Sequence, residues 1–506
     1  MLKVCKELFS EFNKINIRYC HWKSNEHLTE GLEGKTDLDI LVDRNRYRDV
    51  NKILFKYDFK KYEAISYFRY NSIEDFIGFD EREGNLVHIH LHYELRLGRK
   101  FIKEYHLPIE EYIFNNLIYD KNYNIYLISP ELEIILLLVR FVAKKRNKLF
   151  FIKKGNVLNK DFRKEFDWLY NKISYDKVYY HANILFGKEF ADAIILFIKN
   201  NNDVNIYKKF RKITLKSLKF YKNLSDIKMD FIYLKRKISA AYNYINFKKL
   251  NKPAPYRRIN PYGGIVVAFV GVDGAGKSTL IKRVKKWLSW KIDVYAIYFG
   301  SGEGMSSLLR YPLTRFVSMV KCKKVKEKIN KKNITNNTNE INDSNEIVKS
   351  EKVKKSAAYR LFKVVWAITL GFEKKSKFKR LWKAKERGLI VICDRYPQIQ
   401  VMGFNDGPLL NSWMDSNNKI KNKIARWEYN IYKLCNVYNP DILIKLKIPE
   451  EISHQRKPET PIKVIKDKID AIEKIKCNTN TRIYSIDTDE KIEEVLLKIK
   501  KIIWNY

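Results

Sequence analysis

Apolar positions along this chain fall into two registers. Short apolar runs, rich in β-branched residues, recur at Leu38-Asp-Ile-Leu-Val42, Leu86-Val-His-Ile-His-Leu-His92, Ile265–Val270, Val294–Phe299, Leu389–Cys393, Asp441–Ile448 and Arg482–Ile486, and predict strands. Between them, Leu280, Ile281, Val284, Trp287 and Leu288 repeat at helical spacing. Residues 1–100 mix short strands and helices. The stretch 101–250 is mostly helical, with Pro130-Glu-Leu-Glu opening an apolar helix. From 265 to 506 strands and helices alternate, which predicts a doubly wound parallel sheet. Asn251–Gly264 holds three prolines, two glycines and no apolar period, so it reads as a linker. Lys321–Lys355 is a Lys/Asn/Glu/Thr tract with too little apolar surface to order itself, and predicts a flexible insert. The fold class is therefore α/β multidomain.

Composition narrows the partners. A chain of 506 residues is too long for one ordinary core. Its net charge of +41 invites a nucleic-acid reading, but the excess Lys is spread beside abundant Asn, Ile and Tyr. All four have A/T-rich codons, and no nucleic-acid module accompanies the charge, so no specific nucleic acid is expected. Six scattered cysteines without a Cys-x-x-Cys pair exclude a disulfide framework and a zinc ribbon. Leu132–Val139 and Leu361–Leu370 fall short of the roughly 20 residues that cross a bilayer, and Met1-Leu-Lys-Val-Cys-Lys-Glu does not read as a signal peptide. The expected location is the cytoplasm.

The chemistry is concentrated in Gly271-Val-Asp-Gly-Ala-Gly-Lys-Ser278, which fits the phosphate-loop pattern between a strand and a helix. Gly271, Gly274 and Gly276 let backbone N–H groups converge on an anion, and the helix beginning near Lys277 adds its positive end. Ala275 and Thr279 complete the cradle. Lys277 supplies charge for the β- and γ-phosphates, and Ser278 a hydroxyl for Mg²⁺. Asp394 closes a later strand, where a carboxylate can hold Mg²⁺ through water. Arg395 beside it can neutralise an acceptor phosphate.

Val272–Thr279, Asp394-Arg-Tyr396, and Pro440-Asp-Ile-Leu followed by Glu450, Glu451 and Arg456 resemble thymidylate kinases over residues 265–506. The resemblance implies the nucleoside-monophosphate-kinase fold, ATP and Mg²⁺. It implies that Asp273 touches the acceptor and that Gln455–Glu459 forms the lid. Position 274 is Gly, so transition-state charge falls to Arg456. The family's Arg-Glu-Pro-Gly segment is replaced by Gly300-Ser-Gly-Glu-Gly-Met305. The acceptor is thus open, a nucleoside monophosphate or a glycan-related small molecule. Asp394-Arg-Tyr-Pro with Asp406-Gly-Pro408 is similar to thymidylate-kinase-like proteins encoded among surface-polysaccharide genes.

Near the N-terminus, Asp37 and Asp39 share one strand face and can grip one divalent ion. With Cys20–Leu28 they resemble the polymerase-β-type nucleotidyltransferases, over about residues 10–100. Lys23-Ser24 stands where that superfamily places Gly-Ser, and His90 occupies the expected position of a third carboxylate. His88, His90 and His92 share one face. The expected organisation is a nucleotidyltransferase-like α+β domain (1–100), a helical domain (101–250), a linker (251–264) and a phosphate-loop kinase domain (265–506). The expected activity is ATP- and Mg²⁺-dependent phosphoryl transfer. The alternatives are nucleotidyl transfer through Asp37 and Asp39, or an ATP-switched scaffold.

Overall fold

The computed structural model describes residues 1–144, 157–222, 224–300, 357–402 and 406–506. The expected insert at 321–355, and all of Gly300–Met305 but Gly300, lie outside them. The chain is an α/β multidomain protein whose described residues form a mixed sheet, a parallel sheet and a two-stranded antiparallel sheet of Leu95–Leu97 with Tyr105–Leu107.

The mixed sheet has eight strands, in the order Arg258–Ile259, Lys60–Ala64, Ile73–Phe79, Leu86–His92, Asp37–Val42, Tyr19–His21, Ile125–Ile128 and Leu117–Asp120. Asp37–Val42 runs parallel to Leu86–His92, which sets Asp37 opposite His88 and Asp39 opposite His90. The antiparallel neighbour Ile73–Phe79 sets Asp75 against His90 from the other side. The sheet does not end near residue 100 as expected. Two four-residue strands, Leu117–Asp120 and Ile125–Ile128, complete its far edge. Runs this short are hard to separate from helix by period alone.

The apolar helix opened by Pro130 spans Pro130–Lys144 and is buried along nearly its whole length. Four helices, Lys160–Tyr170, Tyr175–Phe186, Lys188–Lys199 and Val204–Leu218, supply the cluster around it. Each fully buried Leu or Ile contributes about 1.5–3 kcal/mol.

The parallel sheet has five strands, in the order Val294–Tyr298, Ile390–Asp394, Val266–Gly271, Ile442–Lys447 and Arg482–Asp487. All five were legible as apolar runs. Strand Val266–Gly271 is buried throughout and Ile390–Asp394 is buried up to its last residue, as parallel strands covered on both faces require.

Residues 251–264, expected as a linker, are built into the structure. Arg258–Ile259 forms the edge strand of the mixed sheet. The backbone N–H groups of Tyr256 and Arg257 both donate to Asp293 at 2.7 Å. The two sheets also share apolar packing. Tyr62, Ile77, Phe79 and Leu86 belong to the same cluster as the parallel strands, and Phe79 meets Trp287 and Trp504 at ring distances of 5.6 and 5.9 Å. Among the described residues, no helix is long and apolar enough to cross a membrane.

Buried Glu133 gives the first test. It accepts from the backbone N–H and the side-chain amide of Asn25 at 2.8 and 2.7 Å. Burial nonetheless pushes its carboxyl up to about 7. A raised acid pKa means the native state holds a proton that the unfolded state releases. Its contribution is complete below the unfolded value and is lost as pH rises through about 7. The difference is on the order of 3 kcal/mol. Glu133→Gln should match wild type at pH 4.5 and exceed it at pH 8, read as thermal midpoints at both pH values. A variant whose difference from wild type is the same at both would refute the burial argument.

Candidate functional site

The central strand Val266–Gly271 delivers the chain into the glycine loop. Gly274 and Gly276 have φ of 90° and 73°, a region that side chains resist. A Cβ at Gly274 would also stand 3.1 Å from the Ser453 carbonyl oxygen. Gly276 precedes helix Lys277–Leu288 without any side-chain cap, which leaves that helix end suited to an anion.

Lys277 is buried and has no carboxylate within ion-pair distance among the described residues. Its Nζ donates to the carbonyls of Gly271 and Val272 at 2.8 and 2.6 Å. Burial and the nearby Arg395 hold its amine down to about 8. A charge kept this way gains strongly from a phosphate.

Asp273, Gly274, Ala275, Gly276, Lys277, Ser278 and Thr279 line one cavity of about 770 Å³ together with Asp394, Arg395 and Arg456. Gly271 stands at the strand end, outside the lining. Asp394 ends its strand beside Phe269, and burial raises its carboxyl. Arg395 takes a left-handed φ of 65°, and its N–H donates to the Phe269 carbonyl at 3.0 Å. Such a conformation in a non-glycine residue costs about 1–3 kcal/mol and is found where a site dictates it. The turn aims the guanidinium at Asp273, at 3.1 Å. Arg456 donates to the Gly274 carbonyl at 3.1 Å, so the segment expected as the lid rests on the glycine loop.

One residue here escaped the sequence reading. Lys468 donates to Asp273 at 2.6 Å. Burial raises the Asp273 carboxyl, but Lys468 and the neighbouring cations outweigh it and hold it below its ordinary value. The available signal was position: Lys468 interrupts the stripe Ile465, Ile469, Ile472 on helix Ile462–Glu473.

Asp37, Asp39, His88, His90 and His92 also meet, in the mixed sheet. His88 bonds Asp37 at 2.6 Å and Asp75 at 2.9 Å. His90 lies 3.4 Å from Asp39 and 3.1 Å from Asp75, and His92 bonds Asp39 at 3.0 Å. A third carboxylate is therefore present. It is Asp75, on the strand before the expected one, and His90 bridges it to Asp39 instead of replacing it.

Three cations answer the three carboxylates. Lys23 pairs with Asp39 at 2.7 Å, Arg258 with Asp75 at 2.9 Å, and Lys291 with Asp37. Burial raises Asp39 and Asp75, yet Lys23 and Arg258 head the interactions that drive both well below the usual carboxylate range. Burial pushes the His92 imidazole down to about 3. Donor atoms of Asp37, His88 and His90 lie within 4.8 Å of one another, as do those of Asp39, His90 and His92. The donor set suits a divalent metal by type. A metal there must displace Lys291 or Lys23. At the Lys23-Ser24 turn, the Ser24 N–H donates to Glu165 at 3.2 Å.

No family model matches the chain. It is similar to the uncharacterized ATP-binding protein YghR of Escherichia coli, 28% identical over 241 residues, or 47% of this chain and 86% of that protein. The uncharacterized ATP-binding protein YghS of the same species is 28% identical over 241 residues, 46% of this chain and 89% of its own length.

The Asp75–Arg258 pair can be weighed directly. Arg258→Met should lower stability by up to about 3–5 kcal/mol, because it leaves buried Asp75 with only the His88 and His90 imidazoles as partners. Asp75→Asn with Arg258→Met should cost less than the two single losses added. Urea unfolding of the four chains of this cycle measures the coupling. Strict additivity would show that the pair is incidental.

Proposed function

We propose that this protein binds ATP at the Gly271–Thr279 loop and transfers its γ-phosphoryl group to a small-molecule acceptor. The observation that carries the reading is convergence. An uncapped helix end, a buried lysine without a carboxylate, a strand-end aspartate and two arginines line one cavity. The similarity to YghR and YghS, both named as ATP-binding proteins, supports the nucleotide.

Each residue then has a task. Lys277 leaves the Gly271 and Val272 carbonyls for the phosphates, where its charge is worth more. Ser278 and Asp394 would hold Mg²⁺, which neutralises charge on the phosphates when bound. Arg456 already sits against the loop and meets the charge that develops on the transferred group. Asp273, held between Arg395 and Lys468, faces the acceptor. A phosphorylated acceptor would compete with Asp273 for both cations, so the acceptor class we favour carries its own phosphate. A nucleoside monophosphate and a glycan-related phosphate both satisfy this.

Nucleotidyl transfer at Asp37 and Asp39 is the weaker reading. Lys23, Lys291 and Arg258 already neutralise the carboxylates, and Glu165 faces the Ser24 turn.

Lys277→Ala should lower ATP turnover by roughly 100-fold or more, with the far-ultraviolet circular dichroism of wild type. ADP release in the presence of Mg²⁺ is the measurement. Undiminished turnover would remove the phosphate loop from the chemistry. ADP release without any phosphorylated product, across nucleoside monophosphates, sugars and sugar phosphates, would favour an ATP-switched scaffold.

A further inference from the structure

A second large cavity, of about 600 Å³, opens on the far side of the Asp/His cluster. Its walls come from strands Lys60–Ala64 and Ile73–Phe79, the turn between them, the turn around Lys100–Lys103, and Arg257 and Arg258. Asp75 and His90 form one edge.

Charge bookkeeping around this cavity does not balance. Lys61 is paired with Glu74 at 2.6 Å, Arg69 with Glu63, and Arg258 with Asp75 at 2.9 Å. Those three pairs use all three carboxylates of the lining. Three cations are left over, Lys100, Lys103 and Arg257, and none has an ion-pair partner among the described residues. Their polar ends are held instead by neutral groups. Lys103 lies 4.8 Å from the Tyr70 ring centre and Lys100 5.4 Å from that of Phe68. Arg257 donates to the Ser289 and Trp290 carbonyls at 3.4 and 3.5 Å. Such contacts are worth about 1 kcal/mol each and do not cancel a charge.

The backbone is bent to present these groups. Phe101 and Lys103 both take left-handed φ, 89° and 43°. Arg236 braces the turn through the Phe101 carbonyl, and Tyr70 Oη accepts from the Phe101 N–H at 3.2 Å. Left-handed non-glycine residues persist only where their surroundings fix them. Burial and the neighbouring Lys23 hold the Lys103 amine down to about 7, so an anion entering the cavity would favour its charged form.

We infer that this cavity is a second anion site, which takes a phosphorylated, ring-bearing small molecule. Lys100, Lys103 and Arg257 meet two or three phosphate charges, and Phe68 and Tyr70 supply faces for the ring. The volume lies within the range of small-molecule sites, about 300–1,000 Å³. A concave pocket of this size favours a compact ligand over a nucleic-acid strand, which needs an open groove. The inference is independent of the phosphate-loop reading, because no residue lines both cavities.

The test uses the full chain carrying Lys277→Ala, so that the phosphate loop contributes little. Isothermal titration at 0.15 M salt with UDP, pyrophosphate and decauridylate covers the ligand classes. One UDP site per chain is expected, weakened at least tenfold by Lys100→Ala with Lys103→Ala and retained with Lys103→Arg. Should the double alanine chain fail to fold, as judged by thermal melting, Lys100→Gln with Lys103→Gln replaces it, with the same tenfold loss expected. Absent UDP heat in the Lys277→Ala chain overturns the site, and so does unchanged UDP affinity in the double variant. Pyrophosphate binding as tightly as UDP overturns the ring-bearing class. Decauridylate binding more tightly than UDP overturns the small-molecule class. Failure of the phosphate-loop reading shows separately, as absent ADP release from the chain with Lys277 intact.

Discussion

Three carboxylates set side by side, Asp39 and Asp75 buried and Asp37 half-buried, cannot remain ionised without counter-charge, and this fold is arranged around that requirement. Asp37 and Asp39 sit on one strand and Asp75 on another, with the Leu86–His92 strand between them and bonded to all three. Their cations come from widely separated parts of the chain: Lys23 from the N-terminal region, Arg258 from the 251–264 segment, and Lys291 from just beyond the phosphate-loop helix. An ion pair in low dielectric is costly to leave half-made. The carboxylates therefore fix where the Pro-rich segment runs and how the parallel sheet abuts the mixed one. The shared apolar cluster, with Phe79 against Trp287 and Trp504, closes the same seam with directionless packing. The ion pairs add register to it.

Much of this was legible in the residues. The parallel strands announced themselves because strands covered on both faces are apolar without interruption. The glycine loop was legible because phosphate binding constrains spacing within eight consecutive residues. Asp394 and Arg395 were legible as a pair at a strand end. What stayed hidden depended on distance. Asp75 lies in Ile73–Phe79, whose Glu-Asp start reads as a polar strand edge, and only the antiparallel register sets it against His90. Lys468 is 195 positions from Asp273. The Asn251–Gly264 segment reads as a linker because its prolines and glycines abolish period. Its role is carried instead by a two-residue strand and by backbone donors to Asp293. Sequence patterns report local periodicity; they do not report which distant charge answers a buried one.

The helix Lys277–Leu288 has a consequence beyond its uncapped N-terminal end. Its 12 residues make a rod about 18 Å long. One end opens on the ATP-sized cavity. Just past the other, the Ser289, Trp290 and Lys291 carbonyls hold Arg257 and Arg258, and the Lys291 ammonium holds Asp37. A stiff rod transmits axial displacement without loss. Any piston-like movement of this helix, by even a fraction of an ångström, shifts two arginines and one lysine together against the mixed sheet. By linkage, if a ligand that grips those side chains changes affinity at the glycine loop, a ligand at the loop changes affinity at those side chains by the same factor. Both ends of this helix are thus electrostatic contacts, one with the glycine-loop cavity and one with the mixed sheet.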